Sequence, residues 1–294
     1  MPGSFHFDAP TPLAFFASLV ADDASLLLVE AAASIAQDDL PTLDIQSVMA
    51  EFDALAGKLK RRVAADAVPV QRLRLLNRYF FQELGFAGNV NNYYDRHNSY
   101  LHSVLNTRRG IPITLALIYI ELAGQIGLKA SGVSFPGHFL IKLRMPTGDR
   151  LGDVVLDPFS GHSLSRDELD DMLQPYRRQR GLAGDFETPL GLFLQTTPPR
   201  EVLARMLRNL KEIHRSAQDW PRLLAVQQRL VVLLPNAWEE RRDRGLAFAE
   251  LERFTEAVAD LDAYLERGPG AVDHAAVRQR TAELRLAGRS RPRP

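Results

Sequence analysis

The spacing of apolar residues changes twice along this 294-residue chain, and these changes restrict the folds open to it. Helical spacing of three and four residues runs as far as Gly127. From Ala130 to Phe159 the pattern becomes strand-like, with the turn sequence Pro146 to Asp149 between the last two apolar runs. From Arg200 onward it is helical again. The sequence therefore predicts an α+β fold, with a helical N-terminal part, a small antiparallel sheet and an all-helical C-terminal region.

Caps, stop residues and apolar stripes predict the individual elements. Helices are predicted over residues 24–36, 44–65, 70–84, 100–105, 110–126, 166–173, 201–217, 220–234, 237–251, 255–266 and 272–286. Strands are predicted over residues 130–135, 138–145 and 154–159. We expect a core domain over residues 1–199, a helical-repeat domain over 200–288 and a flexible basic tail over 289–294.

The C-terminal helices contain a repeating pattern. Five positions follow the small, aromatic, Ala, large and Pro spacing of a tetratricopeptide repeat: Gly245, Phe248, Ala257, Leu261 and Pro269. Pro235 precedes the last of these by 34 residues, which is the length of one repeat. Two repeats and a capping helix fit this region, and we expect Trp220 and Trp238 to pack within it. Such a domain predicts a protein or peptide partner.

Composition excludes several classes of protein. The chain has no cysteine, which excludes disulfides, thiolate metal sites and cysteine nucleophiles. Its 36 basic and 36 acidic residues balance, so charge argues against a nucleic-acid partner and an anionic membrane surface. The apolar stretch from Pro12 to Ala21 is too short to span a bilayer. We therefore expect a cytoplasmic protein without a membrane partner.

The turn between the last two predicted strands brings a histidine and an aspartate together. If Met145 lies opposite Arg150, the same register places His138 opposite Asp157. Opposite residues have Cβ atoms about 4.5–5.5 Å apart, so an imidazole can reach a carboxylate. A slip of one residue would separate them.

Four sequence blocks add a resemblance to a known family. The run NNYYDRHNSYLHSVLNTRRGIPITLALIYIELAGQIGL is followed by GVSFPGHFLIKL and VVLDPF. With its NSYL, RRGIPI, PGHF and LDPF blocks, the chain resembles a bacterial family that joins a transglutaminase-like (papain-like) core to C-terminal tetratricopeptide repeats. The resemblance covers about Ser25 to Leu284, and some members are described as invasion-gene regulators.

In active transglutaminase-like enzymes the resemblance implies a Cys–His–Asp arrangement. The His maps to His138 and the Asp to Asp157, and the Cys would stand near Pro112, in the first turn of a buried helix. Because the chain has no cysteine, thiol-dependent transglutaminase or protease chemistry is excluded.

Each candidate site residue has a structural interpretation beside the functional one. His138 and Asp157 form either a catalytic pair or a hydrogen bond that satisfies polar groups at a sheet edge. Thr114 is either a replacement nucleophile or a residue that bonds within the first helical turn. Asn98 and Arg109 are candidate binding residues that, with Thr114, would border a remnant cleft beside the His138–Asp157 pair.

Metal and cofactor motifs are not found in the sequence. His97, His102 and His162 lack the spacing of a zinc helix, so we predict no metal site. Arg108 and Arg109 could bind a phosphate or carboxylate, or could be one solvated and one structurally paired charge. No glycine-rich phosphate loop joins a strand to a helix, and we predict no cofactor.

Three functional hypotheses follow. The first is a noncatalytic interaction or regulatory protein. The second is a hydrolase or acyl-transfer enzyme with a non-cysteine nucleophile, and the third is a DNA-contacting regulator, which the balanced charge disfavours. The noncatalytic protein is the preferred interpretation because a fold alone does not establish an activity.

Overall fold

A computed structural model describes residues 10–147, 150–180, 188–267 and 272–289. Its helices are α1 (Pro12–Leu19), α2 (Leu28–Ser34), α3 (Ile45–Lys60), α4 (Pro69–Asn77), α5 (Leu101–Thr107), α6 (Pro112–Gln125), α7 (Arg166–Arg180), α8 (Leu190–Phe193), α9 (Pro199–Ser216), α10 (Trp220–Leu233), α11 (Trp238–Glu250), α12 (Phe254–Arg267) and α13 (His274–Arg289). Its strands are β1 (Ala87–Gly88), β2 (Arg109–Gly110), β3 (Lys129–Val133), β4 (Leu140–Thr147), β5 (Arg150–Leu156) and β6 (Ser163–Leu164). The predicted α+β class is confirmed. Pro269, the Gly148–Asp149 part of the predicted turn and residues 290–294 of the predicted tail lie outside the described residues.

Several helices differ from their predicted bounds: the one predicted over 44–65 ends at Lys60, and the one predicted over 166–173 continues to Arg180. Two other differences have local reasons. The helix predicted from residue 24 begins only at Leu28, because the Asp22 carboxylate accepts from the Ala24 N–H and the Ser25 hydroxyl in a turn. The helix predicted over 70–84 becomes a π turn after Asn77, and it ends before Gly85, whose φ is 72°.

The chain forms two compact units. The core unit consists of Leu28–Ala36 and Leu43–Met206. The repeat unit consists of the described residues up to Leu27, Gln37–Thr42 and the described residues from Leu207 onward. Helix α1 therefore belongs to the repeat unit, a grouping that the helical periodicity does not reveal. The domain bounds expected from the sequence stay a prediction.

Helix α6 is the centre of the core unit. Every residue from Pro112 to Tyr119 is buried, and α6 packs against α3 and against strands β3 and β4. A helix that is apolar on all sides must be surrounded by protein, so its first turn lies in the interior. Pro112 suits this start because the first helical position needs no N–H donor.

The larger sheet has the strand order β3-β4-β5-β6 and is antiparallel throughout. Its register corrects the predicted one: Met145 lies opposite Gly152, and Thr147 lies opposite Arg150. The pairing of β4 with β5 extends to Thr147 and Arg150, closer to the turn than predicted, so only two residues connect the two strands. The shift is two residues, which preserves the face of the sheet toward which each side chain points.

In the repeat unit, α11 and α12 pack closely around a glycine. A Cβ at Gly245 would lie 3.0 Å from the Leu261 side chain and 3.2 Å from the Ala257 carbonyl oxygen. Ala257 and Leu261, two of the positions of the repeat pattern, are fully buried and lie in the hydrophobic core of the repeat unit. Trp220 and Trp238 pack partly buried against the same cluster. Within the described ranges, no helix has the length and apolar character needed to cross a membrane.

Candidate functional site

A tight turn positions His138 two residues before the start of β4 at Leu140. Pro136 and Gly137 are its central residues, and the N–H of His138 donates to the carbonyl of Phe135 at 3.0 Å. Gly137 has a φ of 71°, as the third position of a type II turn requires. The Pro-Gly pair of the sequence thus directs the imidazole to the end of the sheet.

Asp157 follows β5 and is held by its own loop. Its Oδ1 accepts from the Phe159 N–H at 2.8 Å, and its Oδ2 accepts from the Ser160 hydroxyl at 2.7 Å. The Gly161 N–H donates to the Asp157 carbonyl at 2.8 Å, and Gly161 has a φ of 79°. An aspartate that bonds to the backbone two residues ahead stabilises a turn and loses freedom of rotation.

His138 and Asp157 are in direct contact. His138 Nε2 lies 2.8 Å from Asp157 Oδ1, and the side chains are 21% and 16% exposed. The predicted contact is confirmed. The predicted pairing that led to it is wrong, because neither residue belongs to the β4–β5 ladder and its register does not place them opposite each other. Both lie just beyond its last pair, Ile141 and Leu156.

The electrostatics of the pair favour a charged aspartate and an available imidazole nitrogen. Burial raises the pKa of Asp157, but hydrogen bonds from His138, Ser160 and Phe159 outweigh burial and lower it. A carboxylate at Nε2 favours the tautomer that carries its proton there, which leaves Nδ1 as an acceptor. Among the described residues, Nδ1 has no hydrogen-bond partner. The geometry is suited to a general base.

Thr114 lies in the first turn of α6, and its hydroxyl is fully buried. Its Oγ1 is 2.7 Å from the carbonyl oxygen of Asn98 and 3.0 Å from that of Ile111, and it accepts from the Ile111 N–H at 3.2 Å. These contacts correspond to the structural interpretation, in which the threonine caps its helix. A nucleophilic role for Thr114 stays a hypothesis.

Asn98 is buried and organises the loop that precedes it. Its side-chain oxygen accepts from Asn89 at 2.9 Å, and its amide donates to the carbonyls of Asn92 and Tyr93 at 2.6 and 3.1 Å. Within the described structure, neither Asn98 nor Thr114 hydrogen-bonds to the His–Asp pair. A binding role for Asn98 stays a prediction.

The two adjacent arginines have different surroundings. Arg109 is exposed, and its guanidinium donates to the carbonyls of Gly85 and Arg108 at 2.5 and 3.0 Å. Arg108 lies 3.6 Å from Glu51 and stacks over the ring of Phe86. The alternative of one structurally paired and one solvated arginine fits these contacts. A ligand contact by Arg109 stays a prediction.

Arg205 of α9 is a site residue that the sequence did not reveal. Its guanidinium donates to the Ser134 hydroxyl at 2.6 Å and to the His138 carbonyl at 2.7 Å, and burial lowers its pKa. Tyr93, 43% exposed, interacts electrostatically with Arg205 and lies near Phe159, with ring centroids 5.9 Å apart. Arg205 lies in an amphipathic helix with several other arginines, so no local signal distinguishes it.

The histidines considered for a metal site are not grouped with other ligands. His97 Nδ1 lies 2.8 Å from Asp95, and His102 Nε2 lies 3.1 Å from the Ser103 hydroxyl. His162 accepts the Asp157 N–H through its carbonyl oxygen. In the part of the chain that the structure describes, no group of three or more His, Cys, Asp or Glu side chains is placed to hold a metal ion.

Comparison with known proteins agrees with this architecture. Residues 46–208 match the model of the transglutaminase-like superfamily, and residues 210–282 match a tetratricopeptide repeat model. The fold is therefore that of a transglutaminase-like protein with a C-terminal repeat region.

Relatives that match over most of their length identify the family. A UPF0162 protein of Xylella fastidiosa (strain Temecula1) is 38% identical over 264 residues, which cover 90% of this chain and 92% of that protein. The UPF0162 protein YchA of Escherichia coli K12 is 25% identical over 234 residues, 79% of this chain and 81% of that protein. The chain belongs to the UPF0162 family.

Another likeness covers a much shorter stretch of the chain. F-box only protein 21 of Mus musculus is 42% identical over 72 residues, which are 24% of this chain and 12% of that protein. No solved structure matches the chain significantly.

Proposed function

We propose that this chain is a noncatalytic transglutaminase-like protein, a pseudoenzyme that acts as an interaction or regulatory module in the cytoplasm. The observation that carries the proposal is the start of α6. Where the resemblance implies a cysteine, the chain has the sequence Gly110–Ile113, and the whole sequence contains no cysteine. None of these four side chains is a nucleophile. The regulatory part of the proposal rests on the family resemblance.

The contacts of Thr114 support the same proposal. This hydroxyl is the first nucleophile-type group after the expected cysteine position, and it is buried against two carbonyl oxygens. To attack a substrate it would have to leave its helix cap and become exposed. The Ile111 N–H and the Asn98 carbonyl would then lose a buried partner, a cost of about 1–3 kcal/mol for each group.

The repeats support an interaction role. Tetratricopeptide repeats stack helix pairs into a continuous surface, and such surfaces commonly bind proteins or peptides. In the proposed function, the repeat unit binds the partner protein or peptide. The His138–Asp157 pair then stabilises the loops at the end of the sheet.

One observation favours an alternative, hydrolysis or acyl transfer with a non-cysteine nucleophile. The Nδ1 of His138 has no partner among the described residues, while Nε2 is oriented by Asp157. An oriented imidazole with one available nitrogen can remove a proton from a hydroxyl. The same pair thus permits a structural role and a catalytic one.

Activity and stability measured together separate the two functions. Hydrolysis of ester and amide substrates and the melting temperature are measured for the wild type, His138→Ala and Thr114→Ala. We expect no turnover, and we expect His138→Ala to lose about 1–3 kcal/mol because it removes a partner of a half-buried carboxylate. Wild-type turnover that both variants abolish at unchanged stability would establish the enzyme instead.

The interaction role is tested by co-purification with the full-length chain. Leu246 of α11 and Val68 before α4 are both exposed, in the repeat unit and the core unit respectively. A stoichiometric partner is expected to be lost with Leu246→Glu and kept with Val68→Glu. If the partner is lost with Val68→Glu and kept with Leu246→Glu, the partner binds the core unit instead.

A further inference from the structure

One face of the larger sheet carries a cluster of cations, of which Lys142 and Arg144 lie four and six residues along the chain from His138. Lys129 lies opposite Arg144, and Ser131 lies opposite Lys142 in the β3–β4 ladder. Because side chains alternate between faces, these four share one face. Asp153 of β5 lies opposite Arg144 and joins them.

The two halves of this sheet face are different. One half is apolar: Val133, Leu140 and Val155 are buried against Leu169 and Leu173 of α7. The other half forms an open cavity of about 220 Å³. Its polar lining residues are Lys129, Ser131, Lys142, Arg144, Asp153 and Thr196. None of them belongs to the His138–Asp157 site.

The charges of this cavity are not balanced within it. The side-chain ammonium of Lys129 has no hydrogen-bond or ion-pair partner among the described residues, and Lys142 Nζ donates to the carbonyl of Leu194 at 2.6 Å. Arg144 Nε lies 3.3 Å from the carboxylate of Asp153, and both side chains are solvent-accessible. Three cations therefore face one carboxylate.

Stability does not explain this arrangement, because like charges directly opposite each other destabilise a sheet. Lys129 and Arg144 are such a pair. Two hydroxyl groups, Ser131 Oγ and Thr196 Oγ1, lie 3.1 Å apart beside them. Cations and hydroxyl donors around one cavity are the groups that bind a phosphate.

We propose that this cavity binds the phosphate group of a small phosphomonoester. Lys129 and Arg144 supply the charge, Lys142 adds a second ammonium, and Ser131 and Thr196 donate hydrogen bonds. The volume is below the usual range for a drug-sized ligand, which suits a phosphate with a small organic group. A nucleic-acid backbone would require basic residues along an extended track, and the chain has no net charge.

The test uses the full-length chain, with inorganic phosphate and phenyl phosphate as probes in titration calorimetry. We expect saturable binding that weakens as salt rises, because these side chains are solvent-accessible. Lys129→Gln is expected to raise Kd about tenfold through the loss of one charge-assisted contact. Asp153→Asn is expected to lower Kd, because it removes the carboxylate that competes for Arg144.

Lys58→Gln is the matched control. Lys58 is an exposed lysine of α3 in the same unit as the cavity. Its substitution by Gln removes one positive charge, as Lys129→Gln does. We expect its Kd to equal that of the wild type, and the melting temperature without ligand to confirm that each variant folds. Equal weakening by Lys58→Gln and Lys129→Gln would overturn the site. The site would also be overturned if neither probe bound at concentrations up to about 10 mM. Tighter binding of a single-stranded oligonucleotide than of phenyl phosphate would overturn it as well.

Discussion

Arg229 of α10 and Asp38, which lies 191 residues earlier in the chain, form a two-point ion pair in the repeat unit. Nε lies 2.7 Å from Oδ2, and Nη2 lies 2.8 Å from Oδ1. The Arg229 side chain is 0% exposed, and its guanidinium stacks over the ring of Phe16 in α1. The pair therefore joins two N-terminal segments to a repeat helix.

Breaking this pair should strongly destabilise the repeat unit. Arg229→Met removes the cation and leaves the largely buried Asp38 carboxylate without its partner, at an expected cost of about 3–5 kcal/mol. The free energy of unfolding in urea measures the loss. Arg280→Met is the control, because the Arg280–Glu283 pair is exposed and should contribute less than about 1 kcal/mol. Similar small losses in both variants would contradict the role of the buried pair.

The depressed pKa of Asp157 predicts a dependence of stability on pH. Burial raises this pKa, but the hydrogen bonds from His138, Ser160 and Phe159 lower it below the value in the unfolded chain, about 3.9. The contribution is therefore complete above about pH 5 and is lost as pH falls through the folded-state pKa.

Asp157→Asn tests this dependence. The difference in unfolding free energy between the wild type and the variant should be larger at about pH 6 than at about pH 3, because acid protonates the wild-type carboxylate. Asp53→Asn, which removes an exposed charge from α3, controls for net charge. A difference that does not change with pH would show that the hydrogen bonds to Asp157 contribute no net stability.

The packing around Gly245 makes Leu261 a sensitive position. Leu261→Ala should leave a cavity between α11 and α12 and cost about 2–5 kcal/mol. Leu286→Ala is the matched control, since the Leu286 side chain is 64% exposed, and thermal melting with limited proteolysis compares the two. If Leu261→Ala leaves the stability unchanged, the assignment of Leu261 to a core position of the repeat is wrong.

Two glycines of the core unit should respond to alanine in opposite directions. A Cβ at Gly88 would lie 2.3 Å from the ring of Phe159, so Gly88→Ala must displace this ring and should cost about 1–3 kcal/mol. A Cβ at Gly124 in α6 would meet no atom within 4 Å, and Gly124→Ala should stabilise by about 0.5–1 kcal/mol. Melting temperatures that shift in the same direction would contradict this packing.

The sequence by itself determined the features that depend only on residues close together along the chain. Pro112 and Gly127 bound α6, and Pro136 with Gly137 sets the turn before His138, because caps and turns are encoded by a few consecutive side chains. The small residue at Gly245 indicated the repeat packing in the same way. The absence of cysteine excluded thiol chemistry without any structure.

Only the tertiary structure decided which distant groups meet. The sheet register differed by two residues from the predicted one, because strand pairing extends to Thr147 and Arg150 at the turn. Arg205 reaches the His138 carbonyl over a separation of 67 residues, and Arg229 reaches Asp38 over 191. Long-range contacts of this kind depend on how the elements pack, and a helical period or a turn motif carries no information about a partner elsewhere in the chain.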